Sequence, residues 1–373
     1  MTELKTDVFA GAQRRQRYEE RPAVPATRAA GLASGPGEVA TVTSAGAPGT
    51  DLEPFRTPPE QEARSSAWRA FLAKLGRSGL GADAVADREN ERVIRQATWT
   101  RAMGVIVVNP KGASCKTPAA IITAGVLAQV RGGYVAAWEA SEAPGDLADR
   151  AEGHPVRGLT ELLAASSMVT SAGNLAGYTA PQTSHAAVIG TVSARAALSP
   201  RDVLTVRGLL DAYYHLTIAD TGNNVQSPTF LTALDTADAV LVPCTLNLQS
   251  LRGLQRAMST LEQRTAEHLQ GITSRVVVVV SHDGGPEDPE LAATAVETIR
   301  KRYNPRAVVE VPFDLAIRRD GEITLANLSP TSQRAWRAVA RHLVDALQQA
   351  PEPSPIPGHP ASAVPQSNTP EGS

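Results

Sequence analysis

Apolar positions along this chain follow two different rules in alternation. From Met103 onward, short β-branched runs with no inner polar alternation are separated by longer segments whose apolar residues recur at helical spacing. The runs are Gly104–Val108, Tyr134–Trp138, Ala186–Ile189, Leu216–Ala219, Ala239–Val242, Arg275–Val280 and Ala307–Val311. The helical segments lie near 117–130, 200–213, 228–236, 248–267, 288–302 and 330–348. A strand that is apolar throughout is expected where both sheet faces are covered, which is the usual setting of parallel sheets. Ser199-Pro200 and Ser329-Pro330 each place a capping hydroxyl before a proline at the first helical position, which fixes two helix starts. The pattern predicts an α/β fold class, a mostly parallel sheet with helices on both faces. Residues 170–186 carry no strong period and are expected to be an irregular insertion.

The remaining sequence divides around this domain, placed at residues 102–350. Residues 1–64 are rich in Ala, Gly, Pro, Thr and Arg without apolar period, and are expected to be a disordered N-terminal arm. Residues 65–101 read as a helical lead-in, with Trp68, Phe71, Leu72 and Leu75 at helical spacing and a second segment from about Ala84 to Thr98. Prolines at 351, 353, 355, 357, 360, 365 and 370 mark residues 351–373 as a disordered Pro-rich tail of polyproline II character.

Composition narrows the function classes. The 373 residues carry a formal charge of −2, so no global field drives the chain toward nucleic acid or an anionic membrane. The two cysteines, Cys115 and Cys244, form no CxxC motif, which argues against a zinc site. No apolar signal region follows the N-terminal charges and no stretch approaches a membrane span, so a cytoplasmic location is expected. The C-terminal half carries Arg300, Lys301, Arg302, Arg306, Arg318, Arg319, Arg334, Arg337 and Arg341. These are either a local phosphate-binding face or solvated helix faces.

The candidate chemistry begins after the first strand, at Asn109-Pro110-Lys111-Gly112-Ala113-Ser114-Cys115-Lys116-Thr117. A strand, a loop ending in Lys-Thr and then a helix is the order a phosphate loop needs. Backbone N–H groups at the helix start cradle phosphates, the lysine reaches the outer ones and the hydroxyl holds Mg²⁺. Pro110 and Cys115 stand where the general pattern has glycines, so the same residues also read as a solvated helix start. Cys115, at a helix N-terminus, has either a lowered thiol pKa or a plain small-residue role.

With Lys111 five residues before Lys116, the loop resembles the ParA/MinD family of deviant Walker-A P-loop ATPases, whose loop reads Lys-Gly-Gly-x-Gly-Lys-Ser/Thr. The match is at Lys111, Gly112, Lys116 and Thr117, and the departures are Ala113 and Cys115. The resemblance runs from about Met103 to Gln348 and is nearest to actinobacterial members, including relatives of type VII secretion-associated proteins that have a Trp-containing lead-in like Trp68. It implies an ATP site on Lys111, Gly112, Ala113, Ser114, Cys115, Lys116 and Thr117, with Pro312 near the base pocket. It implies a nucleotide-sandwich homodimer in which Lys111 crosses to the partner's phosphates, and Mg²⁺ held by Thr117 and, through water, Asp220 at the end of Leu216–Asp220. The family's Asp-x-Asp-x-x-x-Gly segment aligns on Gly145, placing Glu139 on the first Asp and Ser141 on the second. Ser141 is no carboxylate, and neighbouring Glu142 is the expected substitute. Lys111, Glu139, Glu142 and Asp220 are thus the catalytic candidates, and Asn223 and Asn224 are candidates for contacts across the dimer.

Two functions follow from the resemblance. One is an ATP-driven dimerisation switch that partitions plasmid or chromosomal DNA or positions a cargo, with nonspecific DNA and a ParB-like stimulating protein as partners. The other is a degenerate, hydrolysis-poor relative acting as a regulatory or scaffold protein, with a link to secretion. A membrane-binding amphipathic helix at the C-terminus is not expected, since the last helix runs into the Pro-rich tail.

Overall fold

The computed structural model describes residues 80–112, 114–264, 269–285 and 289–351. The Trp68 segment, the N-terminal arm and residues 352–373 lie outside the described residues. The second lead-in segment is a helix, α1 (Leu80–Gln96), longer at its start than its apolar positions predict.

An eight-stranded sheet forms the centre, in the order β3-β4-β2-β5-β1-β6-β7-β8. Its strands are β1 (Met103–Val107), β2 (Val135–Ala140), β3 (Ala180–Pro181), β4 (Ala187–Ile189), β5 (Leu216–Thr221), β6 (Ala239–Thr245), β7 (Val276–Ser281) and β8 (Ala307–Val311). Every pairing is parallel except the short β3–β4 pair at one edge. The predicted α/β class and its mostly parallel sheet are therefore present. The stretch expected to be an irregular insertion contains a short helix, α5 (Ala172–Ala176), and β3. Elements of five and two residues are too short to leave a readable period.

Alternate residues of each strand enter different cores, which is why the runs show no polar alternation. Val105 and Val107 of β1 and Val277 and Val279 of β7 face one layer. Ile106 of β1 and Val276, Val278 and Val280 of β7 face the other. The first layer holds α1, α2 (Lys116–Arg131) and α11 (Pro330–Leu347), with Trp336 buried in it. The second holds α4 (Leu159–Ala164), α6 (Pro200–Asp211), α7 (Pro228–Asp235), α8 (Leu248–Glu262) and α9 (Pro289–Tyr303). Two short helices, α3 (Leu147–Arg150) and α10 (Leu315–Arg318), lie in loops.

The helix starts follow the cap chemistry. Ser199 accepts from the Asp202 N–H and the Asp202 carboxylate accepts from the Ser199 N–H, a reciprocal box that starts α6. Ser329 caps α11 in the same position before Pro330. The lead-in is fastened to the main domain. Arg337 of α11 pairs with Asp87 of α1 at 3.1 Å. Arg131 of α2 donates to the carbonyls of Ile94 and Ala97 and lies 4.4 Å over the Trp99 ring.

Strand order fixes where a site forms. β1 lies between β5 and β6, so the connections from this part of the sheet leave in opposite directions and open a crevice at the strand C-termini. Register then aligns the candidates, with Val107 beside Asp220 and Asp220 beside Glu139.

Candidate functional site: the loop between β1 and α2

A cavity of about 750 Å³ occupies this crevice. Its walls include Gly112, Ser114 and Cys115 from the loop, Lys116 and Thr117 at the start of α2, Ser141, Glu142 and Asp146 after β2, Asp220 at the end of β5, and Asn223 and Asn224 after it. His282, Asp283, Pro312, Phe313, Asp314 and Arg318 form the far side.

The loop is held from below. Asn109 is fully buried, donates from Nδ2 to the Pro243 carbonyl (2.8 Å) and accepts the Lys111 N–H on Oδ1 (2.9 Å). The Ser114 hydroxyl donates to the Lys111 carbonyl at 2.7 Å. Gly253 of α8 lets that helix approach, since a Cβ there would sit 2.1 Å from Asn109 Oδ1. Gly253→Ala must displace a side chain already committed to two hydrogen bonds. Denaturant unfolding should show a loss of about 1–3 kcal/mol, and an unchanged midpoint would disprove the contact.

Cys115 takes the left-handed conformation, φ 62° and ψ 27°, that a glycine adopts without strain. The turn that opens α2 therefore keeps its shape without the glycine. No side chain caps this 16-residue helix, which leaves its first N–H groups turned toward the cavity end. Of the two readings of Cys115, burial opposes the lowered-pKa one. Burial pushes its thiol up, against the pull of Arg318 and Arg150. Cys244, fully enclosed, is pushed up to about 12. Both thiols should alkylate with iodoacetamide at neutral pH at least about tenfold more slowly than free cysteine. Mass spectrometry of a time course checks this, and fast labelling of Cys115 would refute it.

The loop residues meet β5 directly. Lys116 Nζ donates to Asn223 Oδ1 (2.6 Å) and lies 3.4 Å from the Lys111 carbonyl. Burial pulls the Lys116 ammonium below its ordinary pKa, against the opposing attraction of Asp220. The Thr117 hydroxyl donates to Asp220 Oδ2 at 2.6 Å. Asp220 is buried at the strand end, and burial pushes its pKa up to about 6 despite the Thr117 hydrogen bond and the Lys116 charge. Its other oxygen, Oδ1, is buried with no hydrogen-bond partner among the described residues. An enclosed carboxylate with one unused oxygen, beside a threonine hydroxyl, is a donor set that suits a hard cation such as Mg²⁺.

The other expected positions are distributed unevenly. Lys111 is exposed and stands outside the cavity lining, and Ala113 lies outside the described residues. Glu142 and Pro312 line the cavity. Glu139, expected as a catalytic carboxylate, is absent from the lining. It is sealed under the loop and paired with Arg195 at 2.6 Å. Ser141 donates to the Ala143 carbonyl at 2.5 Å, so its hydroxyl shapes its own loop. Asn223, expected to reach across a dimer, binds Lys116 of its own chain. Asp146 also lines the cavity, and its position just after the Gly145 alignment was the available sequence signal. Arg195 and Asn109 carried no signal, since each reaches partners distant in sequence, Glu139 and the 141–143 carbonyls for Arg195 and the Pro243 carbonyl for Asn109. Arg150 pins the far wall by donating to the carbonyls of Gly321 (2.7 Å) and Ile317 (3.0 Å).

The arginines of the C-terminal half are partly neutralised. Arg306 and Arg341 share Asp345, Arg337 pairs with Asp87 and Lys301 pairs with Glu297. No helix among the described residues is long and apolar enough to cross a membrane.

A phosphate-type loop between β1 and α2, with an aspartate at the end of the adjacent parallel strand, now stands in the crevice of the sheet. The fold is of the P-loop kind. No protein-family model matches the sequence. Among curated proteins the chain is similar to the ESX-1 secretion-associated protein EspI of Mycobacterium tuberculosis, from strains H37Rv and CDC 1551. Identity is 28% over 297 residues, covering 76% of this chain. The chain spans 42% of the length of those relatives. Similar solved structures include a ParA family ATPase from Chlorobium tepidum, at TM-score 0.49 and 17% identity over 66% of this chain and 98% of that one. The MinC:MinD cell division complex of Aquifex aeolicus is similar at TM-score 0.48 and 17% identity, over 68% of this chain and 98% of that one.

Proposed function

We propose that this chain is a ParA/MinD-like protein that binds ATP with Mg²⁺ in the β1–α2 cavity and uses it to form a homodimer. The observation that carries this reading is the bond from the Thr117 hydroxyl to Asp220, beside Lys116 and the uncapped start of α2. Phosphates would lie on the N–H groups of Ser114 to Thr117, with Lys116 leaving Asn223 to meet them. Thr117 and Asp220 would hold Mg²⁺, the latter through water. The ion supplies charge neutralisation between phosphate oxygens when bound. Phe313 and Pro312 offer the apolar surface that a base needs. Exposed Lys111 is free of the cavity wall and would serve the partner's site in a sandwich.

Hydrolysis in this reading is slow. Ser141 is bonded into its own loop, which leaves Glu142 and Asp146 as the cavity-facing carboxylates of that segment. Both lie on a loop rather than at a strand end, and catalysis is more sensitive to placement than binding is. A nucleotide-gated regulator or scaffold therefore fits this site better than a fast ATPase. The similarity to a secretion-associated protein supports a secretion-linked role over DNA partitioning, as does the pairing of Arg306, Arg337 and Arg341 with acids.

The test is calorimetry with Mg–ATP, with light scattering on the same samples. Binding accompanied by a doubling of mass, the doubling lost in Lys111→Ala, is the expected result. No heat at millimolar ATP would overturn the proposal and leave a P-loop fold reused as a scaffold.

A further inference from the structure

Glu139 and Arg195 form an ion pair whose side chains are 1% and 3% exposed. Their remaining hydrogen bonds all act on two segments. Arg195 donates to the carbonyls of Ser141 (2.8 Å), Glu142 (2.6 Å) and Ala143 (3.0 Å), three successive residues of the loop that walls the cavity. It also donates to the Thr191 hydroxyl and the Ala196 carbonyl in its own segment. The Glu139 carboxylate accepts the Gly145 N–H (3.0 Å) at the far end of the cavity loop, and both the N–H and the hydroxyl of Thr191. One guanidinium and one carboxylate thus grip the cavity loop at both ends and tie it to the segment between β4 and α6.

Stability alone is a poor reason for such a pair, because apolar replacements of buried ion pairs are often as stable. Geometry is a better one. A guanidinium carries five donors in a rigid planar fork, and only that shape satisfies three consecutive carbonyls and a carboxylate together. A lysine at this position supplies one compact charge.

We propose that Arg195 is a positioning residue, which fixes the loop from Ser141 to Asp146 and so sets where Glu142 and Asp146 stand against Lys116, Thr117 and Asp220. Its role in nucleotide handling rests on the reading of the cavity given above; its hold on the loop does not. Through Thr191 the same residue ties the β4–α6 segment to the cavity loop, beside a separate backbone tie from the Leu198 N–H to the Glu142 carbonyl.

Removing Arg195 alone strands a buried carboxylate, so the informative variant is the double one, Arg195→Met with Glu139→Gln. Hydrogen–deuterium exchange on the nucleotide-free protein is read first. Amides of 141–147 should exchange at least about tenfold faster, with β5, β6 and β7 unchanged. Arg195→Lys should fall between wild type and the double variant. Calorimetry follows. ADP affinity without Mg²⁺ should stay within about threefold, since the β1–α2 loop is untouched, while turnover of Mg–ATP or the gain in affinity that Mg²⁺ brings should drop at least about tenfold. Unchanged exchange at 141–147 overturns the proposal. Faster exchange throughout the sheet overturns it too, since that is a general loss of stability. Should wild type bind no nucleotide, the functional reading falls while the exchange result still decides whether Arg195 holds the loop.

Discussion

Lys116→Ala should weaken ATP binding at least about 100-fold while leaving the fold in place. A charged hydrogen bond to a buried phosphate is worth about 1.5–3 kcal/mol, and a loss of about 2.8 kcal/mol is 100-fold in affinity. Burial already pulls the Lys116 ammonium below its ordinary pKa, so the protein gives up hydration of this charge to hold it at the cavity. Its partners in the nucleotide-free chain are the Asn223 amide oxygen and, more distantly, the Lys111 carbonyl, both neutral. Truncation therefore breaks no ion pair, although the Asp220 carboxylate loses the attraction of the Lys116 charge, and the thermal midpoint should fall only slightly. Calorimetry and a melting curve on the same sample check both halves. Undiminished affinity would mean that phosphates do not lie on this loop, and a collapse of the melting curve would mean that Lys116 serves the fold.

Asp220→Asn should separate stability from ion binding. Asp220 is enclosed, its pKa is pushed up to about 6, and Oδ1 finds no partner among the described residues. An amide of the same shape keeps an acceptor for the Thr117 hydroxyl and removes a buried charge. The nucleotide-free variant should be as stable as wild type or more so, by up to about 1 kcal/mol. The same change removes the anionic oxygen a hard cation requires. The gain in ATP affinity that Mg²⁺ brings over EDTA should shrink at least about tenfold. Titration of ATP with and without Mg²⁺ in both proteins checks this. Equal Mg²⁺ dependence in the two would show that Asp220 faces no metal, and a large loss of stability would show that its charge is structural.

The chain's own pattern carried the fold a long way. Seven apolar runs became seven strands to within two residues at each end, apart from β6, whose C-terminal end at Thr245 runs further than Val242. The eighth strand, β3, is two residues long and pairs through its backbone, which composition does not encode. Helix starts at Pro200 and Pro330 were legible because a capping hydroxyl before proline is a local signal. The loop from Lys111 to Thr117 was legible for the same reason, since its chemistry is contiguous.

Placement of the acids was a different matter. The family resemblance placed Glu139 on the first Asp and made Glu142 the substitute for Ser141, so both stood as catalytic candidates. The sheet separates them, because Glu139 lies buried within β2 in register with Asp220 and Glu142 lies beyond the strand end. What buries Glu139 is Arg195, 56 residues away in sequence. Likewise the strain-bearing turn at Cys115 looked from sequence like a lost glycine, and only backbone angles reveal that the turn persists. Sequence by itself determined the layers, the element order and the contiguous loop, because hydrophobic period and capping are local. Tertiary structure alone decided which carboxylate faces the cavity, which is locked away and what supports the loop, because burial and ion pairing depend on groups that only the packed sheet brings together.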